Sequence, residues 1–238
     1  MSTHKLDIVI PCYNPLQGWE DVIISNFQSL EQGLGFVPRF IIVNDGSSKN
    51  VGDKQLAKLK ASISDVILLT QSENKGKGAA LRVGVAEATA PVILFTDVDF
   101  PYEQESLIQV YKTVKAGNNI VLGTRDEGYY ANVPRFRRWL SKSFRFLMKM
   151  FLRLKSSDTQ CGLKGFDQNG KKLFLDTSIN RFLFDLEFVL YASRSNSISL
   201  KTVPVTLKQG IVFSELPAWV LLHETVNFLK LFLRITFR

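Results

Sequence analysis

The sequence predicts an α/β fold with a mostly parallel central sheet flanked by helices, and three observations support it. Apolar, β-branched runs recur at 6–10, 39–43, 65–70, 91–97 and 119–123, each short enough for a buried strand. Helical stretches at 19–31, 51–61 and 79–88 separate the first four runs, so strand and helix alternate as right-handed βαβ units require. The polar turns with unusual chemistry all follow strands, which gathers them beyond the carboxyl edge of one sheet. A chain of 238 residues with 45% hydrophobic content can bury one large core of this kind. The expected organisation is one domain over 1–210 and an amphipathic C-terminal segment over 211–238.

Taken in order, Leu6-Asp-Ile-Val-Ile10 is a strand closed by Pro11, and Cys12-Tyr13-Asn14-Pro15 is a turn before the helix from Trp19. Arg39-Phe-Ile-Ile-Val43 stops at Asn44-Asp45-Gly46-Ser47-Ser48, whose Ser and Asp content suits a cap for the next helix. The third strand leads into Asn74-Lys75-Gly76-Lys77-Gly78 and an Ala-rich helix, and the fourth ends in Asp97-Val98-Asp99. The fifth, Asn119-Ile-Val-Leu-Gly123, precedes Arg125. Further on, Asp185 and Glu187 open a helix through Ala192, where carboxylates are commonly caps, and Leu200-Lys-Thr-Val-Pro-Val205 reads as an edge strand.

Two carboxylates one residue apart at the end of a buried strand offer hard oxygen ligands to Mg²⁺ or Mn²⁺, which can bridge a substrate phosphate. An isolated Asp-x-Asp is an ordinary solvated turn, but this one shares its edge with Tyr13-Asn14, Asn44-Asp45-Gly46 and Lys75-Gly76-Lys77-Gly78. A nucleotide diphosphate leaves readily only when its developing charge is neutralised. A divalent ion on Asp99 and the point charge of Lys77 suit that task.

The formal charge of +8 and pI near 9.5 point to an anionic partner: nucleic acid, a membrane surface or a phosphorylated substrate. Residues 135–155 hold eight basic residues and no acid. In a helix over about 134–155, Phe136, Leu140, Phe144, Leu147, Phe151 and Leu154 share one face, and Arg135, Arg138, Lys142, Arg145, Lys149 and Arg153 the other. This suits the plane of an anionic membrane, each cation contributing roughly 1 kcal/mol. A plain surface helix, a calmodulin-type target and an RNA-binding helix share the pattern. Nucleic acid is disfavoured because the aromatic residues lie on the apolar face, away from the cations, and offer no stacking platform. The tail from Trp219 to Arg238, interrupted by His223, Glu224, Lys230 and Arg234, reads as a second interfacial helix.

With no charge-free stretch of about 20 residues and no apolar leader, the expectation is a peripheral protein at the cytoplasmic face of a membrane. A membrane-anchored partner or a homo-oligomer would serve the same end. Cys12 and Cys161 are too few to staple the fold and read as buried small hydrophobes in a reducing compartment.

From Ile8-Val-Ile-Pro-Cys-Tyr-Asn14 through Ile41-Ile-Val-Asn-Asp-Gly-Ser47, Asn74-Lys-Gly-Lys-Gly78 and Asp97-Val98-Asp99 to Gly123-Thr-Arg125, the chain resembles glycosyltransferase family 2, with its nucleotide-sugar-binding, Rossmann-like GT-A fold. Asp158-Thr-Gln160-Cys-Gly162-Leu-Lys164 with Phe184-Asp-Leu-Glu-Phe188 is similar to polyprenyl-phosphate glycosyltransferases, especially the dolichyl-phosphate β-glucosyltransferase branch. The resemblance implies that Pro11, Tyr13, Asn14 and Asp45 line the base and ribose pocket, that Lys77 and Val98 lie by the nucleotide, and that Asp97 and Asp99 hold Mg²⁺ or Mn²⁺. It implies that Arg125, Arg137 and Ser141 bind the acceptor phosphate, with Arg135 and Arg138 as alternatives to Arg137. Asp158, Gln160 and Asp185 fall on the acceptor side. Pro15 and Asn44 stand where the family commonly carries acids, which leaves the base open between UDP and GDP.

The expected reaction is transfer of a hexose from a nucleotide sugar of UDP-glucose or GDP-mannose type to a polyprenyl phosphate, dolichyl or undecaprenyl, with inversion at the anomeric carbon. A phosphate monoester is already anionic at neutral pH, so the nucleophile needs positioning by Arg125 and Arg137 and no strong base. Two other readings stay open here. One is a family 2 enzyme extending a glycan, whose sugar hydroxyl would need Asp185 or Glu187 as base. The other is a non-catalytic membrane or nucleic-acid binding module, against which stands the presence of both Asp97 and Asp99.

Overall fold

A computed structural model describes residues 4–125 and 161–209. In chain order the elements are β1 (Leu6–Cys12), α1 (Trp19–Leu34), β2 (Arg39–Asp45), α2 (Asp53–Ser62), β3 (Val66–Gln71), α3 (Lys77–Glu87), β4 (Val92–Phe95), α4 (Gln104–Lys115) and β5 (Ile120–Arg125). After them come β6 (Lys164–Phe166), α5 (Gln168–Leu175), α6 (Phe184–Arg194) and β7 (Leu200–Val205). The helices expected over about 134–155 and 211–238, with Arg137, Ser141, Asp158 and Gln160, lie outside the described residues. Among the described residues no helix is long and apolar enough to cross a membrane.

The strands form one sheet in the order β3-β2-β1-β4-β6-β5-β7. β1, β2, β3 and β4 run parallel, β7 runs parallel to β5, and β6 pairs antiparallel with both β4 and β5. Six strands therefore end at one edge, where ligands of such sheets bind. β6 runs the other way and brings its approach, Cys161-Gly162-Leu163, to that same edge. β7 is an edge strand, as expected, and so tolerates Pro204, which cannot donate to a ladder.

Strand alternation splits the core into two layers. Ile8, Ile10, Phe40, Ile42 and Leu94 pack under α1, α2 and α4, through residues such as Phe27, Leu59 and Val110. Val9, Ile41, Val43, Ile93 and Phe95 face α3, α5 and α6. There Phe95, Phe166, Phe174 and Phe184 form a continuous aromatic cluster. Cys12 and Cys161 are both buried, and burial pushes the Cys12 thiol up to about 12, so it stays protonated.

Several elements differ from expectation. No element is expected at 104–115, 164–166 or 168–175, yet α4, β6 and α5 form there. The α4 face of Leu107, Val110, Tyr111 and Val114 has helical spacing and is legible in the chain. Lys164-Gly165-Phe166 has no strand signature, and becomes a strand because β4 and β5 leave a gap one strand wide. The Ser/Asp segment after β2 does not cap α2. That role falls to Gly52, whose N–H donates to Gln55 Oε1 at 3.2 Å. Helix α3 starts at Lys77, two residues earlier than expected, which moves that side chain from a loop to the first turn.

The far edge of the sheet is held by charge. Asp7, fully buried, accepts from Arg39 Nε at 2.9 Å and Nη2 at 2.8 Å, and from the Thr89 and Ala90 amides at 2.6 and 2.8 Å. One carboxylate thus ties β1 to β2 and to the turn entering β4. Arg39→Ala leaves Asp7 charged and unpaired in the interior, and is expected to cost about 3 kcal/mol in a urea titration while leaving donor affinity of the folded protein unchanged.

Candidate active site

The rim after β1 and β2 is laced by Asn14, which adopts the left-handed φ of 43° that Asn tolerates. Its Oδ1 accepts from the Ser48 and Lys49 amides at 2.9 and 3.0 Å, and its own amide donates to Ser47 Oγ at 2.9 Å. Asn14 therefore frames the rim through its neighbours. Pro11 is half-buried beside it, and the Tyr13 ring is left 51% exposed.

Asp45, the last residue of β2, is buried and saturated. Its Oδ1 accepts from Gln71 Nε2 and the Lys75 amide, both at 2.8 Å, and its Oδ2 from Asn74 Nδ2 and the Gly76 amide, both at 2.9 Å. This carboxylate sets the course of the 74–76 loop. Gly76 ends the loop at φ 102°, where a side chain would be strained and would meet the Asn180 carbonyl. That carbonyl accepts from the Gly78 and Ala79 amides at 2.8 and 3.2 Å, so the first turn of α3 is capped by chain and not left for an anion.

The 177–180 segment is itself held from both sides. Arg82 Nη1 donates to the Ile179 carbonyl at 2.9 Å, and Glu187 accepts from the Ser178 and Ile179 amides, both at 2.8 Å, from Ser178 Oγ at 2.9 Å and from Tyr191 at 3.1 Å. Glu187 is thus a buried brace, which corrects its expected candidacy as a general base. Asp185 is not a cap either: the α6 cap position, Leu183, makes no side-chain cap bond, and Asp185 turns to Lys164.

Against this frame stands a row of charges. Lys77 Nζ donates to Asp97 Oδ1 just beyond β4. A Cβ on Gly162 would overlap Asp97 Oδ2, so only glycine lets the approach to β6 lie against this carboxylate. The Gly162 amide donates to Tyr102 Oη at 2.8 Å, and burial pushes that phenol well up, so it remains protonated. Phe100, buried and stacked on Phe40 at 5.8 Å, holds φ 45°. Such a conformation costs of order 1–2 kcal/mol and is sustained by the packing. The turn leaves Asp99 facing solvent.

Lys164, the last residue of the Asp158–Lys164 motif, is fully buried. Its Nζ donates to the Cys161 carbonyl and to Asp185 Oδ1, both at 2.6 Å, and lies 5.5 Å above the Phe95 ring. A lysine between Leu163 and Gly165-Phe166 is the signal that marks it, because buried lysines are rare unless paired. Desolvation pushes the Asp185 carboxyl up against the opposing pull of Lys164 and Lys77. Desolvation, then Asp97, likewise pushes Asp99 up; burial pulls Lys77 down, but the charges of Asp97, Asp185 and Asp99 with the Asp97 hydrogen bond together raise it.

The fold therefore brings Lys77, Asp97, Asp99 and Asp185 together, with Asp45 behind the 74–76 loop that leads into Lys77. Val98 is half-buried against the core, and Arg125 ends β5 half-buried at the same edge. Among the described residues no three His, Cys, Asp or Glu side chains form a closed metal cage. Two carboxylates that repel one another still fit a hard dication, which would relieve the repulsion and keep its other positions for phosphate and water. The raised Asp99 carboxyl means that folding favours its neutral form, and that this stability is present at acid pH and lost as pH rises through the raised value. At neutral pH in chelator, Asp99→Asn is accordingly expected to raise Tm, and to lose that advantage in excess Mn²⁺.

The sequence model of glycosyl transferase family 2 matches residues 7–173. The dolichyl-phosphate beta-glucosyltransferase of Drosophila melanogaster is 30% identical over 216 residues, covering 84% of this chain and 66% of the relative. The chain thus spans just under two thirds of that protein. Mannosyl-3-phosphoglycerate synthase from Rubrobacter xylanophilus matches the structure with a TM-score of 0.63 at 13% identity, over 97% of this chain and 73% of that one. Glucosyl-3-phosphoglycerate synthase from Mycobacterium tuberculosis, in complex with Mg²⁺ and uridine-diphosphate, matches with a TM-score of 0.58 at 15% identity, over 92% and 74%. At such identities the structures establish the fold, which is GT-A. On its sequence over 7–173 and its parallel sheet with the charged rim, the chain belongs to glycosyl transferase family 2.

Proposed function

We propose that this chain moves a hexose, glucose foremost, from a nucleotide sugar to a polyprenyl phosphate of dolichyl type, with inversion at the anomeric carbon. The observation that carries the reading is the cluster of Asp97, Asp99 and Lys77 at the end of β4, in a chain 30% identical to a dolichyl-phosphate beta-glucosyltransferase. Tyr13, exposed on the rim, and Pro11 receive the base, on a frame laced by Asn14 and Asp45. Asp97 and Asp99 hold Mg²⁺ or Mn²⁺, a reading supported by a neighbour of the same fold that carries Mg²⁺ and UDP. When bound, the dication offsets the negative charge that develops on the leaving diphosphate. Lys77 adds a point charge beside it, with Val98 below.

Arg125 closes the far side of the rim and, with Arg137 and Ser141, orients the acceptor phosphate, while Asp158, Gln160 and Asp185 stand on the acceptor side. An ionised phosphate oxygen attacks without a base, so correct placement accounts for the rate. A sugar-hydroxyl acceptor would need a carboxylate base, and of the two candidates Glu187 is engaged by four donors while Asp185 gives one of its oxygens to Lys164. This favours a phosphate acceptor over glycan extension. The basic face at about 134–155 and the tail at 211–238 would lay the site on a membrane surface at its cytoplasmic side, alone or with an anchored partner or second copy.

Incubated with dolichyl phosphate, Mn²⁺ and radiolabelled UDP-glucose or GDP-mannose, the protein is expected to send label into the organic phase from one donor, and to stop in chelator. Label found only on a glycan acceptor would overturn the reading. Asp99→Asn is expected to lower kcat/KM by about 10²–10³-fold. Gly162→Ala, which displaces Asp97, should cost roughly 100-fold in kcat/KM with a smaller effect on Tm.

A further inference from the structure

The charges at the end of β4 extend inward as an alternating row: Asp99 and Asp97, then Lys77, Asp185 and Lys164. Lys77 bonds the very carboxylate, Asp97, that a dication needs. Among the described residues it has one hydrogen-bond partner, so two of its N–H donors are uncommitted. Asp185 gives Oδ1 to Lys164, while its Oδ2 accepts no hydrogen bond among the described residues. The two helix starts that carry Lys77 and Asp185 are in contact, since a Cβ on Gly78 would meet the Phe184 Cβ at 2.7 Å. The negative charge of Asp185, like that of Asp97, acts on Lys77.

A buried ion pair such as Lys164–Asp185 adds little stability over an apolar pair, so its retention calls for another role. Lys164, fully buried and anchored on the Cys161 carbonyl, holds Asp185 through its Oδ1. We propose that Lys77 is a resident counter-cation with two berths: it neutralises Asp97 while the metal position is vacant, and moves to Asp185 Oδ2 when a divalent ion takes Asp97. Asp185, held by Lys164, is thereby a positioning residue for cation exchange. This rests on the reading of Asp97 and Asp99 as the metal ligands. In the exchanged position Lys77 keeps a charge within the site without competing for the metal's ligands. The row gains the +2 of the metal without leaving an ammonium unpaired.

The test is a double-mutant cycle read by calorimetric titration of the whole chain with Mn²⁺ in the absence of nucleotide. Lys77→Met removes the competitor and is expected to tighten Mn²⁺ about tenfold. Asp185→Asn removes the second berth and should weaken Mn²⁺ about fivefold, but only while Lys77 is present, so the double variant matches Lys77→Met. Equal weakening by Asp185→Asn in both backgrounds would make Asp185 a plain attracting charge and overturn the proposal, as would a Lys77→Met protein that binds Mn²⁺ no more tightly. Should Asp185→Asn not fold because Lys164 is left uncompensated, Lys164→Met with Asp185→Asn replaces it in both arms. Absence of Mn²⁺ binding in every variant, with and without UDP, would remove the metal reading itself and this inference with it. Binding that ignores Lys77 would remove the inference alone.

Discussion

Two aspartates one residue apart at the end of a strand repel each other, and the rim of this sheet is built around that repulsion. Water meets it only in part: Asp99 faces solvent, whereas Asp97 is half-buried and lies against Gly162. A cation must stand beside it, and the chain keeps its own in Lys77. Placing that ammonium takes a long series of supporting contacts. Asp45 holds the loop, Gly76 turns it, the Asn180 carbonyl caps the helix, and Glu187 with Arg82 holds Asn180's segment in place. Most of the polar residues at the edge serve this geometry, and only a few remain to meet a ligand.

The short antiparallel strand β6 is the other device. It lets the chain come back from beyond β5 and slot between β5 and β4, so that a segment distant in sequence reaches the two aspartates. It carries Gly162 on its approach, which gives Asp97 room, and Lys164 within it, which lies over Phe95 and binds Asp185. A doubly wound sheet without this insertion would present only loops from its parallel strands. Here it presents, in addition, a buried cation from underneath.

The two edges divide the work. At the amino edge the buried Asp7 carboxylate accepts from four donors, two of them on Arg39, and joins three parts of the chain. At the carboxyl edge, among the described residues, Lys77 keeps uncommitted donors and Asp185 an uncommitted acceptor, and a strained φ is retained at Phe100. Satisfied charge locks a fold, whereas unsatisfied charge at a sheltered rim is available for binding.

The chain itself determined the parallel strands, the helices between them and the gathering of Asp97, Asp99 and Lys77 at one edge, because period-2 and period-3.6 apolar patterns and strand direction are local properties. Even α4 was open to such a reading through Leu107, Val110, Tyr111 and Val114. The family motifs over 7–173 likewise lie in the linear order of residues. Only the tertiary structure decided that Asn14, Asp45 and Glu187 spend their oxygens on the chain, that β6 exists, and that Asp185 answers to Lys164 and not to its own helix. Those outcomes depend on which groups the fold brings together, 21 positions apart for Lys164 and Asp185 and 35 for Asn14 and Lys49, and a carboxylate's role is set by the donors that reach it.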